Sequence, residues 1–169
     1  HLGNLEVCRA LAELGEKITL NVLVHTRHAE HFNRLLGEAG ATHVRLIQVS
    51  ELNPGVMLQL SQRLENGEWL AIAGDRVPLH GARTALVNFL GHPAPFPQGP
   101  WLLAGLLKCP VNLLFCLKHQ GRYRVVIEPF AEAIEWRRSD REQVIAEWAA
   151  RYAERLGHYC LEAPQQWFN

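Results

Sequence analysis

The sequence predicts an α/β fold in which a mixed, mainly parallel sheet carries helices on both faces. Three observations lead to that class. Short apolar runs rich in β-branched residues, ITLNVLV over 18–24 and HVRLIQV over 43–49, alternate in the first half with segments whose apolar residues recur at helical spacing. Strands separated in this way are joined by crossovers long enough for parallel pairing. In the second half, two apolar runs flank Gln120-Gly121 as the arms of a hairpin do, and a long amphipathic segment follows.

Taken in order, Leu5, Cys8, Leu11, Ala12 and Leu14 form the stripe of a first helix that ends near Glu16. The strand over 18–24 follows Gly15-Glu16-Lys17. An amphipathic helix from His28 to Ala39 stops at Gly40 and leads to the strand over 43–49. Pro54 suits the start of a further helix and Asn66-Gly67 its stop, after which Glu68 to Ala73 forms a strand that opens into Gly74-Asp75-Arg76. Residues 82–90 alternate as a half-buried strand does. The proline-rich segment His92 to Pro100 reads as a rigid loop feeding a helix from Trp101 to Leu107. The hairpin arms are Val111–Lys118 and Tyr123–Glu128, and Ser139 is the expected cap of a helix running to about His158.

At 169 residues and 48% hydrophobic content, residues 1–169 are expected to form one globular domain with a substantial core. Seventeen basic side chains balance seventeen acidic ones, which leaves no electrostatic footprint for nucleic acid. Cys8, Cys109, Cys116 and Cys160 are far apart with no C-x-x-C pair, a usage that fits reduced, buried thiols in a cytosolic setting. No apolar run is long enough to cross a bilayer and no signal peptide is visible. The chain nevertheless begins on its most informative motif and stops after an aromatic segment. It therefore reads as an excerpt of a longer protein in which a membrane anchor precedes His1.

That opening motif is His1-Leu2-Gly3-Asn4-Leu5-Glu6. Asn4 suits an N-cap, and Glu6 in the first turn is favoured by the helix dipole. If His1 lies outside the helix and folds back over Gly3, its imidazole is a general base oriented by the Glu6 carboxylate. The competing reading is two unrelated surface residues. Asp75 and Arg76 emerge where a strand ends, the usual place for a ligand in an α/β sheet. Arg76 suits a bidentate clamp on phosphate or carboxylate, with Asp75 holding it and Arg83 reaching the same mouth; a surface ion pair in a turn is the alternative.

His25, His28 and His31 lack an acid or cysteine at ligand spacing, so no metal is expected. The stretch from Phe89 to Trp101, with Phe96 and Trp101 as its large side chains, is suited to wall a slot for an acyl chain or to rest on a membrane surface, against ordinary core packing as the alternative. Neither a G-x-S-x-G elbow nor a phosphate-cradling glycine loop is present.

Four segments in this order, His1-Leu2-Gly3-Asn4-Leu5-Glu6, Gly74-Asp75-Arg76, Phe89-Leu90-Gly91 with the Pro-Ala-Pro-Phe-Pro-Gln-Gly-Pro run, and Gln166-Trp167-Phe168-Asn169, resemble one family. It is the lysophospholipid-type acyltransferase superfamily, in the branch of the late lipid A (lauroyl/myristoyl) acyltransferases of bacteria. The resemblance implies an O-acyltransferase that moves a fatty acyl group from an acyl carrier protein or coenzyme A thioester to a hydroxyl of a lipid acceptor. It implies no further cofactor, and work at the cytoplasmic face of the inner membrane. By this resemblance His1 takes the acceptor proton, Glu6 orients it, and Arg76 with Asp75 helps hold the acceptor or donor headgroup; Arg83 at the same mouth, and Phe96 and Trp101 along the acyl chain, are added from the reading of the residues themselves.

The phospholipid branch carries Phe-Pro-Glu-Gly-Thr-Arg where this chain has Phe96-Pro97-Gln98-Gly99-Pro100-Trp101, without the acid and the arginine, which disfavours a glycerol-3-phosphate acceptor. Two other readings stay open. One is a thioester or lipid hydrolase using the same His-Glu pair, and the other is a non-catalytic lipid-binding module.

Overall fold

The computed structural model describes residues 18–24, 43–77 and 83–167. His1 to Glu6, the helices expected over 5–16 and 28–39, and the three histidines at 25, 28 and 31 lie outside these residues. The chain divides into two compact units between Ala73 and Gly74.

In the first unit, strands β1 (Leu20–Val24), β2 (Val44–Gln48) and β3 (Trp69–Ile72) form a parallel sheet in the order β2-β1-β3, with Leu20 opposite both Val44 and Trp69. Helix α1 (Pro54–Glu65) lies on the crossover from β2 to β3 that parallel pairing requires. Its start is strongly specified. The Asn53 side chain accepts from the N–H groups of Gly55 and Val56 at 2.9 and 3.1 Å, and Pro54 occupies a position where a missing N–H costs nothing. It ends as expected at Asn66-Gly67, with Gly67 at φ 82°.

The second unit is built from two hairpins and two helices: β4 (Thr84–Phe89), β5 (His92–Pro97), α2 (Gly99–Leu107), β6 (Val111–His119), β7 (Arg122–Ala131) and α3 (Arg141–Glu162). Both hairpins are antiparallel. The expectation of a mainly parallel sheet is therefore corrected: among the described strands, only β1 to β3 pair in parallel. The physical reason is the length of the connections. Leu90-Gly91 and Gln120-Gly121 are two-residue turns, and a link that short permits only antiparallel pairing.

The segment His92–Pro97, expected as a loop, is strand β5. Its register explains how a strand accommodates three prolines. Phe89 and His92 flank the tight turn and so exchange backbone bonds, which makes Val87 with Ala94 and Ala85 with Phe96 the next bonded pairs. Pro93, Pro95 and Pro97 fall on the alternate positions, where the missing N–H would point away from β4. The prolines thus leave the ladder intact and strip the outer edge of donors.

Alternation along β4 sends Ala85, Val87 and Phe89 into the core and leaves Leu86 exposed. Helix α3 packs against this strand with a stripe that includes Ile145, Ala149, Tyr152, Leu156 and Cys160, positions three or four apart. Phe115, Ile134, Ile145 and Leu156 are each 2% exposed or less. Burial of each such side chain is worth about 1.5–3 kcal/mol. Gly105 on α2 is required for space, because a side chain there would collide with the Trp136 ring and the Ile134 carbonyl. Helix α3 starts at Arg141 and not from a Ser139 cap; the Asp140 carboxylate before it accepts from the Arg137 N–H at 2.6 Å. No described helix is long and apolar enough to cross a membrane.

Candidate functional site

Tyr152 is the hub of the second unit. Helix α3 carries it on the buried stripe, and its ring meets Trp101 at 5.3 Å and Phe96 at 6.0 Å between centroids. The backbone at Gly74 comes close to the same ring, where even a methyl group would stand only 2.9 Å from it. This close approach delivers the next residue, Asp75, to a position only 7% exposed. There its Oδ2 accepts a hydrogen bond from Trp167 Nε1 at 3.3 Å. The Trp167 ring in turn packs on Phe89 at 5.1 Å, and Phe89 on Phe96 at 5.4 Å.

The electrostatics of this cluster follow from burial. Tyr152 is held well above its ordinary pKa by loss of solvation and then by the Asp75 charge. Cys160 is pushed up to about 11, again by burial first and Asp75 second. Both groups are therefore protonated at neutral pH. Neither the Tyr152 hydroxyl nor the Cys160 thiol is set up as an anionic nucleophile. Cys109, Cys116 and Cys160 are all free thiols.

Of the residues singled out from sequence, Asp75 is buried at the centre of this cluster and Arg76 follows it at the surface. Arg83 is also exposed, and its carbonyl accepts from the Gln98 N–H at 3.0 Å. Phe96 and Trp101 are 4% and 3% exposed and touch the same Tyr152 ring, so both stand inside the core. Trp101 also meets Phe130 at 5.7 Å, while its buried Nε1 has no hydrogen-bond partner among the described residues. His1 and Glu6 lie outside the described residues. Among those residues, no group of three His, Cys, Asp or Glu side chains is placed to hold a metal ion.

Sequence reasoning missed three polar arrangements. The first is the Tyr152 platform; its helical spacing marks it as core, but nothing local couples it to Asp75. The second is Gln166, whose amide grips the backbone of Lys118, donating to its carbonyl at 2.7 Å and accepting from its N–H at 2.6 Å. The third lies in the first unit. Asn21, 1% exposed in β1, donates to Glu68 Oε2 at 2.7 Å and to the Trp69 carbonyl at 3.2 Å, and accepts from Arg63 at 2.9 Å. A buried amide so fully satisfied ties all three of its partners to the central strand. A polar residue inside the apolar run ITLNVLV was the one available signal.

The second hairpin is fastened to α3 by a mixed contact. Phe115 stacks on Tyr159 at 4.1 Å, and Arg155 forks onto Glu128 with bonds of 2.8 and 2.7 Å. Tyr159 adds a third bond to the same carboxylate at 3.2 Å. The Arg155 bond is the main reason the Glu128 carboxyl titrates below its ordinary range.

No protein-family model matches this chain, and no curated protein matches it either.

Proposed function

We propose that this chain is a fatty-acyl transferase domain of the late lipid A acyltransferase type, passing an acyl group from an acyl carrier protein or coenzyme A thioester to a lipid hydroxyl at a membrane surface. One observation carries the reading. Three of the four segments on which the resemblance rests, though distant in sequence, converge: Trp167 donates to Asp75 and packs on Phe89. Residues that serve one site from separate stretches of chain are expected to gather in this way.

In the proposed reaction the acceptor hydroxyl attacks the thioester carbonyl while His1 takes its proton. The tetrahedral oxyanion then collapses, the carbon–sulfur bond breaks, and the leaving thiolate recovers the proton from the imidazolium. Glu6 orients the ring and stabilises its charged form. Asp75, anchored by Trp167, fixes the start of the segment that carries Arg76, and Arg76 with Arg83 meets the anionic headgroup. Phe96 and Trp101, expected along the acyl chain, pack inside the core against the Tyr152 ring and take no direct part in this scheme.

Incubating the full chain with an acyl thioester, with and without a lipid hydroxyl acceptor, tests this directly. Acylated acceptor is expected, and His1→Ala or Glu6→Ala lowers its formation by about 10²–10⁴-fold for a lost general base. Acceptor-independent release of free fatty acid would indicate hydrolysis instead. Near wild-type transfer by either variant sinks the assignment of the pair.

A further inference from the structure

The tip of the β6–β7 hairpin is the most uneven stretch of surface charge in the described chain. Between 118 and 124 it carries Lys118, His119, Arg122 and Arg124 with no acid, and each residue of this stretch is exposed. The sequence as a whole has no net charge, so this local excess is not a sample of a basic protein. Glu162 engages Arg124, whereas Lys118 and Arg122 have no carboxylate partner among the described residues. Tyr123 stands among them 52% exposed, with the Lys118 ammonium 6.0 Å from its ring centre. The tip is also rigidly presented. Gln120 and Gly121 hold positive φ in the turn, and the Gln166 amide clamps the backbone of Lys118.

We infer that this tip is a docking element for an anionic bilayer surface. Cations on a projecting turn gain from the negative surface potential of such a bilayer, and a tyrosine beside them suits the boundary between headgroups and acyl chains. A nucleic acid is a poorer fit. It would call for a basic track continuing beyond one turn, and the chain has no overall positive charge to supply it. The choice of a bilayer over another polyanion rests on the acyl-transfer reading, which needs a lipid acceptor; the cation cluster itself does not. Two cations without a carboxylate partner among the described residues and one histidine give a weak, reversible contact that orients the domain and does not anchor it.

Flotation of the full chain with vesicles of phosphatidylcholine alone, or of phosphatidylcholine with phosphatidylglycerol, tests the proposal. The chain floats with the anionic vesicles only, and added salt weakens the association. Lys118→Glu combined with Arg122→Glu lowers the partition coefficient by at least about fivefold per cation removed, with an unchanged thermal midpoint. Reversing two other exposed cations of the same unit, Arg137→Glu with Arg138→Glu, leaves flotation at the wild-type level.

Equal flotation with neutral vesicles, retention by the tip variant, or an equal loss in both double variants overturns the proposal. So does tighter binding to single-stranded RNA than to anionic vesicles. Turnover on a detergent-dispersed acceptor reports on the chemistry separately. Turnover without flotation removes the tip assignment alone, and flotation without turnover removes acyl transfer while leaving an anionic-surface site.

Discussion

The two hairpins, β4–β5 and β6–β7, close with the same kind of turn and then solve the same problem by opposite means. In each, an ordinary residue and a glycine both hold positive φ, 51° and 89° at Leu90-Gly91 and 48° and 79° at Gln120-Gly121. That pair of angles matches the twist of the flanking strands. A two-stranded ribbon then has open edges to manage. Strand β5 does so within its own sequence, by placing prolines at every outward-facing position. Strand β6 keeps its donors and has the one at Lys118 covered by Gln166, from the short 3-10 turn Pro164–Gln166 that follows helix α3. An edge can thus be silenced locally or occupied from a distance, and the second device exists only once the tertiary fold has formed.

The attachments to α3 differ as well. The first hairpin lies on the helix through apolar and aromatic contact, with Leu90 and Phe89 close over Gly157. The second adds the Glu128 fork to the stacking of Phe115 on Tyr159. Phe115→Ala separates these contributions and has the largest expected effect. A loss of about 3–5 kcal/mol in urea unfolding follows from removing a fully buried ring. A loss below 1 kcal/mol, on the order of a surface substitution, would mean that the charged fork alone holds β6–β7.

The turns offer a smaller and more symmetrical test. Chain neighbours aside, no atom of the described residues lies within 4 Å of a Cβ added at Gly91 or Gly121, so replacing either by alanine costs only conformational energy, about 1–2 kcal/mol. The two variants should lose the same stability in thermal unfolding. A clear inequality would show that the turns, alike in their angles, carry different loads. Gln166→Ala has the smallest effect, about 1 kcal/mol for two exposed hydrogen bonds. It also speeds hydrogen exchange of the Lys118 amide while leaving that of Ala94 on β5 unchanged. An unaltered Lys118 amide would show that the clasp is idle.

Much of the secondary structure was legible in the chain. Helix α1 was announced by Pro54 and Asn66-Gly67, β4 by its alternation, and the second hairpin by Gln120-Gly121. Strand β5 was not, because proline argues against a strand unless every missing donor faces outward, and that depends on a register set by the partner. The start of α3 was misplaced for a related reason. Ser139 and Asp140 are adjacent and both suit a cap, but Asp140 turns back to Arg137 and the helix begins after it. Among the proposed site residues, Asp75 and Arg76 stood out because a strand led directly into them. The anchoring of Asp75 by Trp167 did not, since nothing near either residue encodes the other.

By itself the sequence determined most of the described elements and their turns, because periodicity, proline and glycine act through backbone angles within a few residues. The tertiary structure alone decided which polar groups meet: Asp75 with Trp167, Asn21 with Glu68 and Arg63, and Gln166 with Lys118. Each pair joins residues more than forty positions apart. Their attraction gains strength only when packing removes water and fixes the distance between them.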